Sequence, residues 1–208
     1  MNDLMNLKYC LGFVGAVSVM LSTVRAMETD IVEKSFSAKP NGILVLDVDR
    51  GSVKISASRS DQVEVRVERK LKRGSATKAR EIFESYKVEI TQAGDSVHVL
   101  AQNPNSAHIF SRNRFKFLDV AYSVSVPINF NIDLRTSGGN VQIGEIQGEI
   151  QARTSGGNIS LNGTHGKTGV ETSGGNLVLD NTVSDRCYYS EEYDTQRLHV
   201  FVASSERS

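Results

Sequence analysis

Apolar and polar residues alternate in short runs along most of this chain, and the runs recur. Val63, Val65 and Val67 alternate with Glu64, Arg66 and Glu68 in the segment 62–71, and Tyr122, Val124 and Val126 alternate with Ser123 and Ser125. A period of two marks a strand with one buried face. The clearest runs are repetitive: the pentapeptide Thr-Ser-Gly-Gly-Asn stands at 136–140, 154–158 and 172–176, spaced 18 residues both times. Outside it, Val141, Ile159 and Leu177 share one column and Ile143, Leu161 and Leu179 the next, with Gln142, Ser160 and Val178 between them. Val178 breaks the alternation. Further on, Ile146, Ile150 and Ala152 alternate with Gln147, Glu149 and Gln151, and the second copy carries Thr164, Thr168 and Val170 on that face. Each unit reads as turn, strand, glycine bend (Gly144, then Gly163 and Gly166) and second strand.

A strict period of this length means stacked copies of one supersecondary unit, because one unit cannot bury its own apolar face. The fold class this predicts is all-β, a repetitive β-solenoid stack. Gly138, Gly139 and Asn140, with Gly156, Gly157 and Asn158 and with Gly174, Gly175 and Asn176, are expected to be structural turn and ladder residues. Glycine reaches positive φ without steric cost, asparagine tolerates the left-handed region, and a Gly-Gly pair lets neighbouring rungs approach closely. Asparagine at one place in every rung suits a side-chain ladder; a repeated ligand site is the competing reading.

Upstream, 43–49 and 53–57 read as two strands around Asp49-Arg50-Gly51-Ser52. Gly51, Val53 and Ile55 fall on Gly139, Val141 and Ile143, so the repeat begins here in degenerate form. Residues 75–86 form the one expected helix: Ser75 or Thr77 caps it, and Ala79, Ile82, Phe83 and Tyr86 follow helical spacing. Segments 87–90 and 96–101 pair across Gly94. Pro127 cannot donate to a ladder and marks a strand end or edge.

Residues 1–26 carry Lys8, an apolar run from Cys10 to Val24, and Val24-Arg25-Ala26 before the expected cut, the pattern of a secretory signal peptide. Retention as a membrane anchor is the alternative, against which the run is short of the roughly 20 residues that span a bilayer. Cleavage leaves 22 basic and 23 acidic residues, so bulk charge selects no partner, and leaves Cys187 as the one thiol, which makes no intramolecular disulfide. The expected organisation is a signal peptide at 1–26, one repeat-containing β domain at 27–180, and an atypical C-terminal cap or tail at 181–208. After Asp180 the columns fail: Arg186 falls where Ile150 and Thr168 stood and Tyr188 where Ala152 and Val170 stood, and 198–202 alone looks like a further strand.

From Gly51-Ser52-Val53-Lys54-Ile55, the strand at 122–127 ending in Val-Pro, and Leu134-Arg135-Thr136-Ser137-Gly138-Gly139-Asn140-Val141 with its two later copies, the chain resembles the bacterial "putative adhesin" domains of unknown function, over roughly residues 36–180. The resemblance implies a toast-rack or β-helical fold and an exported, non-enzymatic surface or envelope protein. It brings no catalytic residues to carry over.

The chemistry-bearing residues add little. His98, His108, His165 and His199 show no metal-ligand spacing, no glycine-rich segment has the form of a phosphate loop, and the turn lacks the Asp of calcium-binding repeats, so no cofactor and no metal is expected. An enzyme of the polysaccharide-cleaving β-helix class would need clustered carboxylates. Glu145, Glu149 and Glu171 share no column, and no enzyme is expected. Two basic segments remain: Arg66, Arg69, Lys70, Lys72, Arg73, Lys78 and Arg80, and Arg112, Arg114 and Lys116 interleaved with Phe110, Phe115 and Phe117. Arg69, Lys70, Lys72, Arg73, Arg112, Arg114 and Lys116 form a candidate surface for an anionic envelope polymer or a phospholipid headgroup. Nucleic acid is not an expected partner of an exported chain. The reading is an exported envelope module presenting a repetitive polar face (Gln142, Ser160, Gln147, Gln151 and the turn asparagines) to an envelope polymer or envelope protein. A regulatory envelope-stress component that binds a membrane protein is the alternative.

Overall fold

A computed structural model describes residues 28–102 and 115–183, and the backbone alone of 187–190 and 199–202. The strands are β1 (Glu28–Ser37), β2 (Ile43–Val48), β3 (Ser52–Ser58), β4 (Gln62–Leu71), β5 (Lys87–Ala93), β6 (Ser96–Gln102), β7 (Leu118–Pro127), β8 (Asn131–Thr136), β9 (Val141–Gly144), β10 (Ile150–Thr154), β11 (Ile159–Asn162), β12 (Thr168–Thr172), β13 (Leu177–Thr182), β14 (Cys187–Ser190) and β15 (His199–Val202). The helix α1 (Ala76–Ser85) lies between β4 and β5. All-β is the fold class. The strands form two mixed sheets, one of eight in the order β1-β4-β7-β3-β9-β11-β13-β15 and one of seven in the order β14-β12-β10-β8-β2-β6-β5.

The 18-residue period becomes parallel pairing in register. Ile132, Ile150 and Thr168 are direct partners across β8, β10 and β12, and Val141, Ile159 and Leu177 across β9, β11 and β13. The degenerate copy sits where its columns place it: Val53 pairs with Val141, Ile55 with Ile143 and Leu46 with Leu134. Each rung gives its first strand to the seven-stranded sheet and its second to the eight-stranded sheet. Their inner faces meet in one core that includes Leu44, Leu46, Val53, Ile55, Ile132, Leu134, Val141, Ile143, Ile150, Ile159 and Leu161, all at most 2% exposed.

The second glycine of each pentapeptide makes the stacking possible. Gly139 and Gly157 hold φ of 119° and 137°. The asparagines do not share the left-handed backbone expected of them: the described non-glycine residues with positive φ are Asn41, Glu145 and Asn181. Their column is a ladder of a different kind. The Asn158 N–H donates to Asn140 Oδ1 at 3.0 Å and the Asn176 N–H to Asn158 Oδ1 at 2.8 Å, so each side chain accepts from the backbone of the next rung.

The N-terminal end of the stack is closed by β1, β4, β5 and α1. Ser75 caps α1 by accepting from the Lys78 N–H, and Ala79 and Ile82 bury its inner face. Lys34 Nζ donates to the Ile90 carbonyl at 2.8 Å and Gln92 Nε2 to the Ser37 carbonyl at 2.7 Å, tying the edge strands of the two sheets together. β1 has no counterpart in the sequence reading. At the other end, strand pairing continues past Asp180, where the 18-residue columns end. Thr168 pairs with Cys187 and Val170 with Tyr189, a spacing of 19, and β15 pairs with β13 through Val178 and His199. One inserted residue moved the register and hid β14.

Candidate functional site

The outer face of the eight-stranded sheet carries the candidate site. Strand alternation turns Lys54 and Ser56 on β3, Gln142 on β9, and Ser160 and Asn162 on β11 away from the core. Pairing in register then sets Lys54, Gln142 and Ser160 in one row, and Ser56, Gly144 and Asn162 in the next. These residues and Glu145 line a shallow trough of about 440 Å³. A second trough of about 350 Å³ shares Ser56 and runs across Ser123, Ser125, Glu64 and Arg66 toward β1. Lys54 and Glu145 have no ion-pair partner among the described residues, whereas Arg66 pairs with Glu33. Val178, the residue that broke the alternation, extends the Gln142–Ser160 row and is 44% exposed.

Glu145 stands in an unusual conformation. Its φ is 59°, and the same column holds Gly163 at 65° and Asn181 at 47°. The bend after each second strand requires the left-handed region, and Glu is the least suited of the three to supply it.

The polar face expected from the sequence is divided between two surfaces. Gln142 and Ser160 lie on the eight-stranded sheet, while Gln151 pairs with Asp133 and Gly169 on the seven-stranded sheet. Gln147 bridges to His165 at the corner between them. A two-sheet rung forces this split, because its two strands face opposite solvent.

The expected basic surface is also redrawn. Arg69 does not belong to it. It shares the inward parity of Val63, Val65 and Val67 and is 9% exposed. Its guanidinium binds Asp30 of β1 and donates to the carbonyls of Phe83 and Tyr86 at 2.7 and 2.8 Å. That arrangement caps the C-terminal end of α1 with a cation. Lys70 pairs with Glu68 at 2.6 Å and Lys72 with Asp119 at 3.1 Å. Arg73 and Lys116 lie over the exposed Phe117 ring, 5.4 and 5.9 Å from its centre. Arg112, Arg114 and the segment 1–26 lie outside the described residues.

The carboxylates weighed for catalysis are dispersed. Glu149 accepts from Lys167 at 2.8 Å, and that hydrogen bond and charge hold its carboxyl below the usual value. Glu171 pairs with Arg153 at 3.1 Å. A buried polar network absent from the sequence reading lies beneath α1: the Tyr86 hydroxyl donates to Asp49 Oδ1 at 2.7 Å and meets the Tyr122 hydroxyl at 3.0 Å. Burial pushes both phenols far above their usual range, and for Tyr86 the neighbouring Tyr122 and Asp49 add to it.

No protein-family model matches this chain, and no curated protein matches it. Solved structures do. A "putative cell adhesion protein" from Clostridium sporogenes superposes with a TM-score of 0.51 at 11% identity, covering 76% of this chain and 74% of that one. A "putative adhesin" from Parabacteroides distasonis gives 0.39 at 12% identity, covering 78% and 70%. The first likeness establishes a shared fold. At these identities it establishes nothing about ligand.

Proposed function

We propose that this chain is an exported, non-enzymatic module of the cell envelope, a β-solenoid of the toast-rack kind, and that it binds an envelope polymer along the outer face of its eight-stranded sheet. The observation that carries the reading is the pair of rows Lys54–Gln142–Ser160 and Ser56–Gly144–Asn162, held in register. Neighbouring strands stand about 4.8 Å apart. The rows therefore offer hydroxyl and amide groups at a regular step, with a cation, Lys54, and a carboxylate, Glu145, that have no ion-pair partner among the described residues. That pattern suits a hydroxyl-rich, repetitive polymer such as a glycan. The left-handed backbone of Glu145 supports it, since unfavourable backbone conformations gather where function demands a particular side chain. The shared fold with a protein described as a "putative cell adhesion protein" agrees with the reading.

The test is binding of the purified chain to isolated envelope polymers, read by calorimetry. A Gln142→Arg/Ser160→Arg variant fills the trough and is expected to lose at least about tenfold in affinity, the cost of losing one or two good hydrogen bonds. Gln151→Arg on the opposite sheet is expected to bind as the parent does. Equal losses in both variants, or a processed chain found in the cytoplasm, would overturn the proposal.

A further inference from the structure

A second surface, separate from the trough, lies at the end of the β4–β7 ladder. Lys72 donates its N–H to the Phe117 carbonyl at 2.9 Å, one step beyond the Leu71–Leu118 pair. This fixes Phe117 at the rim, 38% exposed. Arg73 and Lys116 flank the ring. Neither has a carboxylate partner among the described residues, while the nearby Lys70 and Lys72 are neutralised by Glu68 and Asp119. The corner thus combines one exposed aromatic ring with two cations that have no carboxylate partner among the described residues. The first residue of β1, Glu28, pairs with Leu71, which sets the start of β1 beside this corner.

We propose that this corner rests on an anionic phospholipid surface, with Phe117 entering the headgroup region and Arg73 and Lys116 meeting lipid phosphates. An exposed phenyl ring gains by leaving water for the headgroup–acyl boundary, and long cationic side chains reach past it to the phosphates. A polyanion in water accounts for the cations alone and leaves the exposed ring without a role. Two cations and one ring make a weak, reversible contact that orients the domain rather than anchoring it. The proposal does not depend on the polar trough.

The experiment uses the full chain on vesicles of phosphatidylcholine with and without phosphatidylglycerol. Residues 1–26, with Lys8 and Arg25, are the same in parent and variants, so the change in the anionic increment between them isolates the corner. Each cation near an anionic surface contributes about fivefold. Arg73→Gln/Lys116→Gln is therefore expected to reduce the increment by about 25-fold. Lys39→Gln/Arg59→Gln, with the same change of charge at the opposite end of the sheets, is expected to leave most of it. An unchanged increment in the first variant, or equal losses in both, overturns the proposal. The sequence has no tryptophan, so Phe117→Trp is a unique emission probe. A blue shift on anionic vesicles that salt reverses is expected. No shift, or an equal shift with soluble dextran sulfate, assigns the corner to something other than a membrane.

Discussion

The carbonyl oxygen of Gly139 lies 2.2 Å from the point where a β-carbon on Gly157 would stand. The contact repeats along the stack: the Gly51 oxygen is 2.1 Å from that point on Gly139, and the Gly157 oxygen 2.0 Å from it on Gly175. A β-carbon never approaches backbone oxygen so closely, so any side chain at the second glycine forces rungs apart. At the first glycine of the pentapeptide, that point on Gly156 has its nearest neighbour at 4.0 Å. Gly157→Ala is therefore expected to destabilise by about 2–5 kcal/mol, combining left-handed strain with overpacking. Gly156→Ala is expected to stay within about 1 kcal/mol of the parent. Urea midpoints of the two variants check the asymmetry, and equal midpoints would refute the stacking account.

Arg69 joins three elements through one guanidinium, and the variants at that position should report it. Arg69→Ala strands Asp30 and two carbonyls at the end of α1. The expected cost is about 2–4 kcal/mol, set mainly by the two carbonyls left without a donor, since Asp30 is 37% exposed and water can solvate it. Arg69→Lys should recover only part of this, because a single ammonium does not reproduce the planar fork. Denaturant unfolding gives the totals. Hydrogen exchange should show protection lost first in α1 and β1; uniform loss across the stack would contradict the tether.

The repeat was legible because its columns are apolar and its turn is spelled identically three times. The helix was legible from its cap and spacing, and the degenerate rung from Val53 and Ile55. Arg69 was misplaced because charge was weighed above parity. Position 69 continues the inward series of 63, 65 and 67, and that signal was present in the sequence. β1 was hidden for a different reason. It is an edge strand packed on one neighbour, so its alternation is shallow and charged residues interrupt it. The division of the polar face was not legible at all, since one rung places its two strands in different sheets and periodicity does not say which. The trough needed that assignment: Lys54 shares a column with Gln142, yet only pairing shows them side by side.

Glu145 offers a separation of stability from binding. Gly163 and Asn181 hold the same left-handed position one and two rungs on. Glu145→Gly should relieve a backbone cost of about 1–2 kcal/mol, partly offset by the flexibility that glycine adds to the unfolded chain. The expected outcome is a thermal midpoint unchanged or slightly raised, together with weaker polymer binding, because the unpaired carboxylate at the trough is gone. A variant that keeps full affinity would remove Glu145 from the proposed site.

The Tyr86–Tyr122 pair sets the behaviour of the protein in alkali. Both phenols are held neutral in the fold, chiefly by burial, so their folded-state values lie above the ordinary value near 10. A group whose value is raised on folding contributes stability that is fully present below its unfolded value. That contribution declines as pH rises above about 10, where the unfolded chain begins to release these protons and the native one does not. The tyrosinate absorbance of the native protein should therefore rise in two stages. Tyr86 and Tyr122 ionise in the later, second step, which coincides with the loss of far-ultraviolet dichroism. Tyr122→Phe should make the second step smaller by one phenol. It should also make stability fall less steeply with pH above about 10, because one raised phenol is gone and Tyr122 no longer raises Tyr86. Complete ionisation near pH 10 with the dichroism unchanged would show that the pair is open to water.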